Sequence, residues 1–117
     1  MPASSHLGAE GRAAARRYLE DHGFHVLDEC WQHPDGQLGI VAVDNRMLVV
    51  CELRGHTSRQ AVPSGVLSTA RQRLLRTMAA DWLREHGMRF DQIRIDVVGI
   101  LYEGTGGFTI EHVRGVG

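Results

Sequence analysis

Apolar residues recur along this chain with two different periods. From about Ser5 to His22 the spacing is helical: Leu7, Gly11, Ala14, Tyr18 and Leu19 fall on one stripe. Ser4 or Ser5 is placed to cap this helix, Ala13 to Ala15 favour it, and Gly23 stops it. Phe24 to Trp31 then reads as a strand, with Phe24, Val26 and Asp28 on alternate positions. Pro34-Asp35-Gly36 is a turn, Gln37 to Val43 a second strand, and Asp44-Asn45 a second turn. Met47 to Leu53 (MLVVCEL) is almost continuously apolar, as in a strand buried on both faces. After a loop containing Gly55, Pro63 and Gly65, a second helix is expected from about Val66 to His86. Its apolar side is Leu67, Leu74, Leu75, Met78 and Leu83, and Gly87 ends it. Ile93 to Tyr102 (IRIDVVGILY) reads as a strand, Gly104 to Gly107 as a turn, and Phe108 to Val113 as the last strand.

The order is helix, three-strand meander, helix, two strands. Met47–Leu53, the second helix and Ile93–Tyr102 form a strand–helix–strand unit, and a crossover of that kind joins parallel strands, right-handed. The expected result is an α/β fold with a mixed five-stranded sheet flanked by helices. The first helix covers one sheet face, and the second covers the same face or the other. Composition agrees with one domain over residues 1–117: 43% of the residues are hydrophobic, enough for a core, and 23% are charged, too few for a disordered chain.

No apolar run approaches the ~20 residues of a membrane span. Met1 to Gly8 lacks a basic region followed by an apolar stretch, so no secretory signal is expected. Cys30 and Cys51 have neither a disulfide-framework pattern nor CxxC spacing. These features together give the expectation of a cytoplasmic protein with no membrane partner.

Charge changes the picture locally rather than globally. Thirteen basic and 14 acidic residues leave a net charge of −1. All 13 are arginine, which excludes any mechanism needing a lysine amine from this chain. Between Glu52 and Asp81 lie Arg54, Arg59, Arg71, Arg73 and Arg76 and no acid. These five arginines are candidates for contacts to the phosphates of DNA or RNA. The plain alternative is a solvated loop and helix face.

Glu52 is the first candidate for chemistry, a carboxylate within the most apolar strand. Arg54, two residues on, shares its face, so an internal ion pair is the structural alternative to a site. Asp96 is a second carboxylate in an apolar strand, with Arg94 at i−2 as its expected structural partner. Seven histidines show no HxH or HExxH spacing, and no GxSxG elbow is present.

The motifs in order resemble the YraN family of small bacterial proteins with a restriction-endonuclease-like fold. Gly8 to Arg12, Tyr18-Leu19 and Gly23 to Leu27 are similar to its G-x-x-G-E, Y-L and G-y-x-I-L segments. Trp31 matches N-W-R, with Cys30 and Gln32 as neighbours. Gly36 to Ala42 (GQLGIVA) matches G-E-[IL]-D-[LV]-I-A, Leu48 to Arg54 (LVVCELR) matches L-V-F-V-E-V-K, and Arg94 to Val98 (RIDVV) matches R-[FI]-D-V-[VI]. Arg71 to Leu74 and Trp82-Leu83 match its basic second helix.

The resemblance implies a nuclease site in which an Asp and a Glu hold Mg²⁺ and a Lys serves the attacking water. This chain departs from that pattern. Gly39 stands at the Asp, Gln37 at a preceding Glu, Arg12 at the Glu of the first helix, Arg54 at the Lys, and Ala70 at a further Lys of the second helix. Glu52 alone remains. The implied catalytic positions are therefore Glu52 and Arg54 in a vestigial site, with no metal and no cofactor. Two alternatives stand beside it. One is a metal-dependent endonuclease using Mg²⁺ on a displaced set such as Glu52 with Asp35 or Glu10. The other is a scaffold or dimerising protein that binds no nucleic acid.

Overall fold

The computed structural model describes residues 8–57, 67–104 and 106–116. Among them two helices and five strands follow in the order α1 (Gly8–Asp21), β1 (His25–His33), β2 (Gly36–Asp44), β3 (Met47–His56), α2 (Thr69–Glu85), β4 (Ile93–Tyr102) and β5 (Phe108–Val113). The strands form one five-stranded sheet in sequence order. All neighbours are antiparallel except β3 and β4, which pair in parallel from Leu48↔Ile93 to His56↔Leu101. This is the mixed α/β sheet expected from the sequence, and the crossover through α2 is the reason for its one parallel pair.

The helices take opposite faces, the point the sequence left open. Ala15 and Leu19 of α1 bury against Phe24, Ile40, Ala42, Val49, Cys51, Val98 and Ile100. On the other face Leu75, Met78, Ala79, Trp82 and Leu83 of α2 bury against Leu38, Val41, Leu48, Val50, Ile95 and Val97. Val49 and Val50 are adjacent and both fully buried, one in each cluster, so β3 is the doubly covered centre of the sheet.

Element ends depart from expectation for local reasons. Ser4, Ser5 and Leu7, at the expected start of the first helix, and Pro63, Gly65 and Val66 before the second lie outside the described residues. The second helix begins at Thr69, because Ser68 caps it: its hydroxyl accepts the Arg71 N–H at 3.0 Å. β3 continues past Leu53 to His56, since pairing with β4 carries the polar Arg54 and His56 along. The Asp44–Met47 hairpin closes through Asn45 and Arg46, both at positive φ (50° and 73°), which matches the twist of the flanking strands.

Simple alternation fails in β1 and β2. A bulge lies between Val26 and Asp28, so Val26 packs toward α1 while Asp28 accepts the indole N–H of Trp82 at 2.8 Å. Further along, Leu38 and Ile40 are two apart yet sit in opposite clusters. Glu29 and Trp31, their partners across the pair, behave alike: Glu29 bonds Arg16 of α1, and Trp31 packs against the α2 cluster. The swap of faces falls at Gly39 and at Cys30, whose φ is +52°.

Candidate functional site

At this swap lies a cavity of about 480 Å³, walled by Arg12 of α1, Gln37 and Gly39 of β2, Glu52 and Leu53 of β3, and Arg71 of α2. Gln32, His33, Pro34 and Gly36 complete it. Four positions singled out from the sequence (Gln37, Gly39, Glu52 and Arg12) thus share one space.

Glu52 projects to the α2 face with Leu48 and Val50, and its side chain is 15% exposed. Both oxygens are taken by one guanidinium: Arg71 Nε donates to Oε2 at 2.8 Å and Nη2 to Oε1 at 3.0 Å. This bidentate fork is the strong form of the carboxylate–arginine pair. The carboxylate, despite partial burial of the guanidinium, holds the Arg71 pKa above its ordinary value through this hydrogen bond. The partner of Glu52 is therefore Arg71 and not Arg54. Side chains at i and i+2 of a strand project side by side, whereas Arg71 descends onto the sheet from the first turn of α2.

Arg54 is half-buried and does not line the cavity. Its charge acts on His56 instead: burial first, and then Arg54, hold the His56 imidazole below its usual pKa, with Glu111 opposing. Arg71 and Arg73 diverge, because two residues of helix turn the side chain to the opposite side. Arg73 is exposed, and Arg76, also exposed, donates from Nη1 to the Ile93 carbonyl at 3.1 Å. Of these candidates Arg71 is thus turned inward to Glu52, while Arg73 and Arg76 are exposed. Arg59 lies outside the described residues. Asp35 and Glu10 do not wall the cavity. Asp35 is exposed in the β1–β2 turn, its N–H donating to His33 Nδ1 at 3.0 Å, and Glu10 lines a separate cavity with His56 and Tyr102. Among the described residues no three His, Cys, Asp or Glu side chains gather as metal ligands do.

Asp96 is fully buried and fully used. Arg94 donates to both its oxygens (2.8 and 3.0 Å), His112 Nε2 lies 2.8 Å from Oδ2, and the Gly115 N–H donates to Oδ1 at 3.0 Å. Burial would raise this carboxyl, but the bonds from His112, Arg94 and Gly115 outweigh it and hold the pKa at about 2. Arg94 also meets Asp44 at 2.9 Å. The expected Arg94–Asp96 pair is present as a structural network.

The profile of the uncharacterised protein family UPF0102 matches residues 11–100. The chain belongs to this family. A UPF0102 protein of Beutenbergia cavernae is 38% identical over 118 residues, covering the whole of both chains. One from an Arthrobacter species is 36% identical over 118 residues, again covering all of both, and one from Renibacterium salmoninarum 38% over 112 residues, covering 95% of each. Among solved structures, Pyrococcus furiosus SfsA in complex with Ca²⁺ superposes with a TM-score of 0.40 at 13% identity, over 92% of this chain and 62% of that one.

Membership of UPF0102 leaves the packing at position 39 to be read from the structure. A Cβ built on Gly39 would lie 2.9 Å from Leu53 Cγ and 3.0 Å from the Cys51 carbonyl oxygen. The space beside position 39 is thus filled from the neighbouring strand, by Leu53 and the Cys51 carbonyl. The sequence reading missed three further partners. Arg71 was legible in principle, since a right-handed crossover starts α2 near the C-terminal half of β3. The His33–Asp81 contact at 2.8 Å spans 48 residues and the His112–Asp96 contact 16, and no local pattern announces either.

Proposed function

We propose that this UPF0102 protein keeps the restriction-endonuclease-like fold without metal-dependent cleavage, and engages nucleic acid through phosphate contacts from arginine. One observation carries the first half: among the described residues the only acid walling the cavity is Glu52, and both its oxygens are held by Arg71. Mg²⁺ needs a near-octahedral oxygen shell built on carboxylates. Here one committed carboxylate shares the cavity with Gly39, and Arg12 adds a positive charge to it, so the residues do not fit a divalent cation. The second half is supported by the acid-free run from Arg54 to Arg76, of which Arg73 and Arg76 are exposed. Such contacts are indifferent to sequence.

The test has two arms. Calorimetric titration with Mg²⁺ and Mn²⁺ should show no binding below millimolar concentration, and plasmid and branched DNA should remain uncut. Fluorescence anisotropy should detect weak binding to duplex or single strands at low salt. With about three contacts, log affinity should fall with log salt at a slope of about −3 on duplex DNA. Arg73→Ala with Arg76→Ala should lower affinity and slope together. Divalent-dependent cleavage abolished by Glu52→Ala would overturn the first half and establish the nuclease. Absence of binding to every nucleic acid would overturn the second and leave a scaffold or dimerising protein.

A further inference from the structure

The cavity walls are lined with donors whose acceptors are already spent. Glu52 has both oxygens on Arg71. Gln37 accepts the Gln32 side-chain N–H through Oε1 at 2.7 Å, which leaves its own NH₂ group to donate. His33 is committed at both ring nitrogens, to Asp81 and to the Asp35 N–H. Arg71 uses Nε and Nη2 on Glu52, leaving Nη1 over from the fork, 4.0 Å from the position of a Cβ on Gly36.

Arg12 is the remaining charge. It is half-buried, lines the cavity, and makes no hydrogen bond or ion pair with any described residue. With Glu52 and Arg71 cancelling, the cavity carries one uncompensated positive charge. A partly desolvated cation without a counter-ion is a costly arrangement in a folded protein unless a ligand supplies the anion.

We infer that this cavity seats a phosphate monoester, the terminal phosphate of a nucleic-acid strand or nucleotide, between Arg12, Arg71 Nη1 and the Gln37 amide. The inference rests on the reading above that the site no longer holds metal. The three donors come from α1, α2 and β2, so they approach from different walls. A group reached from several sides must present several acceptors. A monoester offers three terminal oxygens and close to two negative charges near neutral pH. An internal diester offers two and one, on a backbone that cannot enter a recess end-on. The volume of about 480 Å³ suits one nucleotide rather than a length of duplex. In this arrangement Glu52 is a positioning residue: it holds the Arg71 fork so that Nη1 is turned to the ligand.

The experiment compares a short single-stranded oligonucleotide carrying a 5′-phosphate, the same strand with a 5′-hydroxyl, the same strand with a 3′-phosphate, and a nucleoside 5′-monophosphate alone. Affinities are read by calorimetry at low salt on the full chain. A phosphorylated strand is expected to bind at least ~10-fold more tightly than the hydroxyl strand, about 1.4 kcal/mol. The 5′ and 3′ arms tell which terminus is taken. Arg12→Gln should remove the difference while leaving the melting temperature unchanged, since Arg12 has no partner among the described residues to lose. As a check independent of any variant, the nucleotide should shift the backbone amide resonances of Gly36 and Gly39.

Equal affinity for phosphate- and hydroxyl-terminated strands overturns the inference, and so does retention of the difference in Arg12→Gln. If strands then still bind with the expected salt slope, the nucleic-acid reading survives without the seat. If no strand binds but the monophosphate does, through Arg12, the seat stands and the nucleic-acid reading falls.

Discussion

Asp96→Asn isolates the network that ties the end of the chain to the sheet. The substitution keeps the size of the side chain and removes its charge. Arg94 then loses both short bonds to position 96 and keeps Asp44, while His112 and the Gly115 N–H lose a charged acceptor. Breaking one partner of a buried ion pair costs about 3–5 kcal/mol, and the surviving Asp44 contact argues for the lower end. Part of this is linked to pH. A carboxyl lowered from 3.8 to about 2 contributes about 2 kcal/mol at neutral pH. The folded value lies below the unfolded one, so this contribution is complete above about pH 5 and disappears as pH falls through about 2. Urea unfolding of wild type and Asp96→Asn at pH 7, 5, 3.5 and 2.5 should show a gap of about 3 kcal/mol at pH 7. It should narrow by about 2 kcal/mol at the acid end. Against a total of about 5–15 kcal/mol for a domain, the neutral-pH loss is large but survivable. If the variant does not fold, His112→Gln removes one bond and should show a smaller gap with the same trend. A variant as stable as wild type at pH 7, or a gap constant down to pH 2.5, would refute the reasoning.

Three further outcomes are expected. Gly39→Asp should destabilise by about 1–3 kcal/mol through overpacking against Leu53, and Leu53→Val should relieve that loss in a thermal melt. Adding Arg54→Lys and Arg71→Gln to that pair should bring Mg²⁺ binding into calorimetric range. A variant that folds and still ignores Mg²⁺ would show that position 39 and Glu52 do not face a common ion. Burial, reinforced by the Asp96 charge, pushes the Cys51 thiol well above its usual pKa, so a disulfide reagent should label Cys30 in the native protein and Cys51 only on unfolding. Equal rates at the two thiols would contradict this placement.

The elements were legible because the core demands them. IRIDVVGILY marks β4 from end to end, and the apolar run of β3 is apolar because helices cover it on both sides. That same continuity hid the rest. Where both faces of a strand are apolar, the sequence does not say which helix takes which face. In QLGIVAV no polar position records that Leu38 and Ile40 diverge, so the swap at Gly39 left no trace in the alternation. The cavity owes its place to that swap, and a strict period-two reading of β2 could not have put it there.

The site was half legible, and the missing half explains the present one. A nuclease pair of carboxylates carries two negative charges, and a divalent cation balances them from solution. With Gly39 where the YraN resemblance implies an Asp, Glu52 is the one negative charge, in a strand too enclosed to leave it bare. Arg71 supplies one positive charge from the chain itself, 19 residues downstream, in the geometry a carboxylate accepts best. Leu53 fills the volume a side chain at position 39 would need. The sequence displayed each part separately: a lone acid, a glycine at a ligand position, and an arginine-rich stretch without acids. Only the crossover through α2 brings Arg71 over Glu52 and leaves Arg12 as the cavity charge with no partner among the described residues. On the function proposed above, the preference of this cavity for an anion turns on Arg12, and the Arg12→Gln titrations test it.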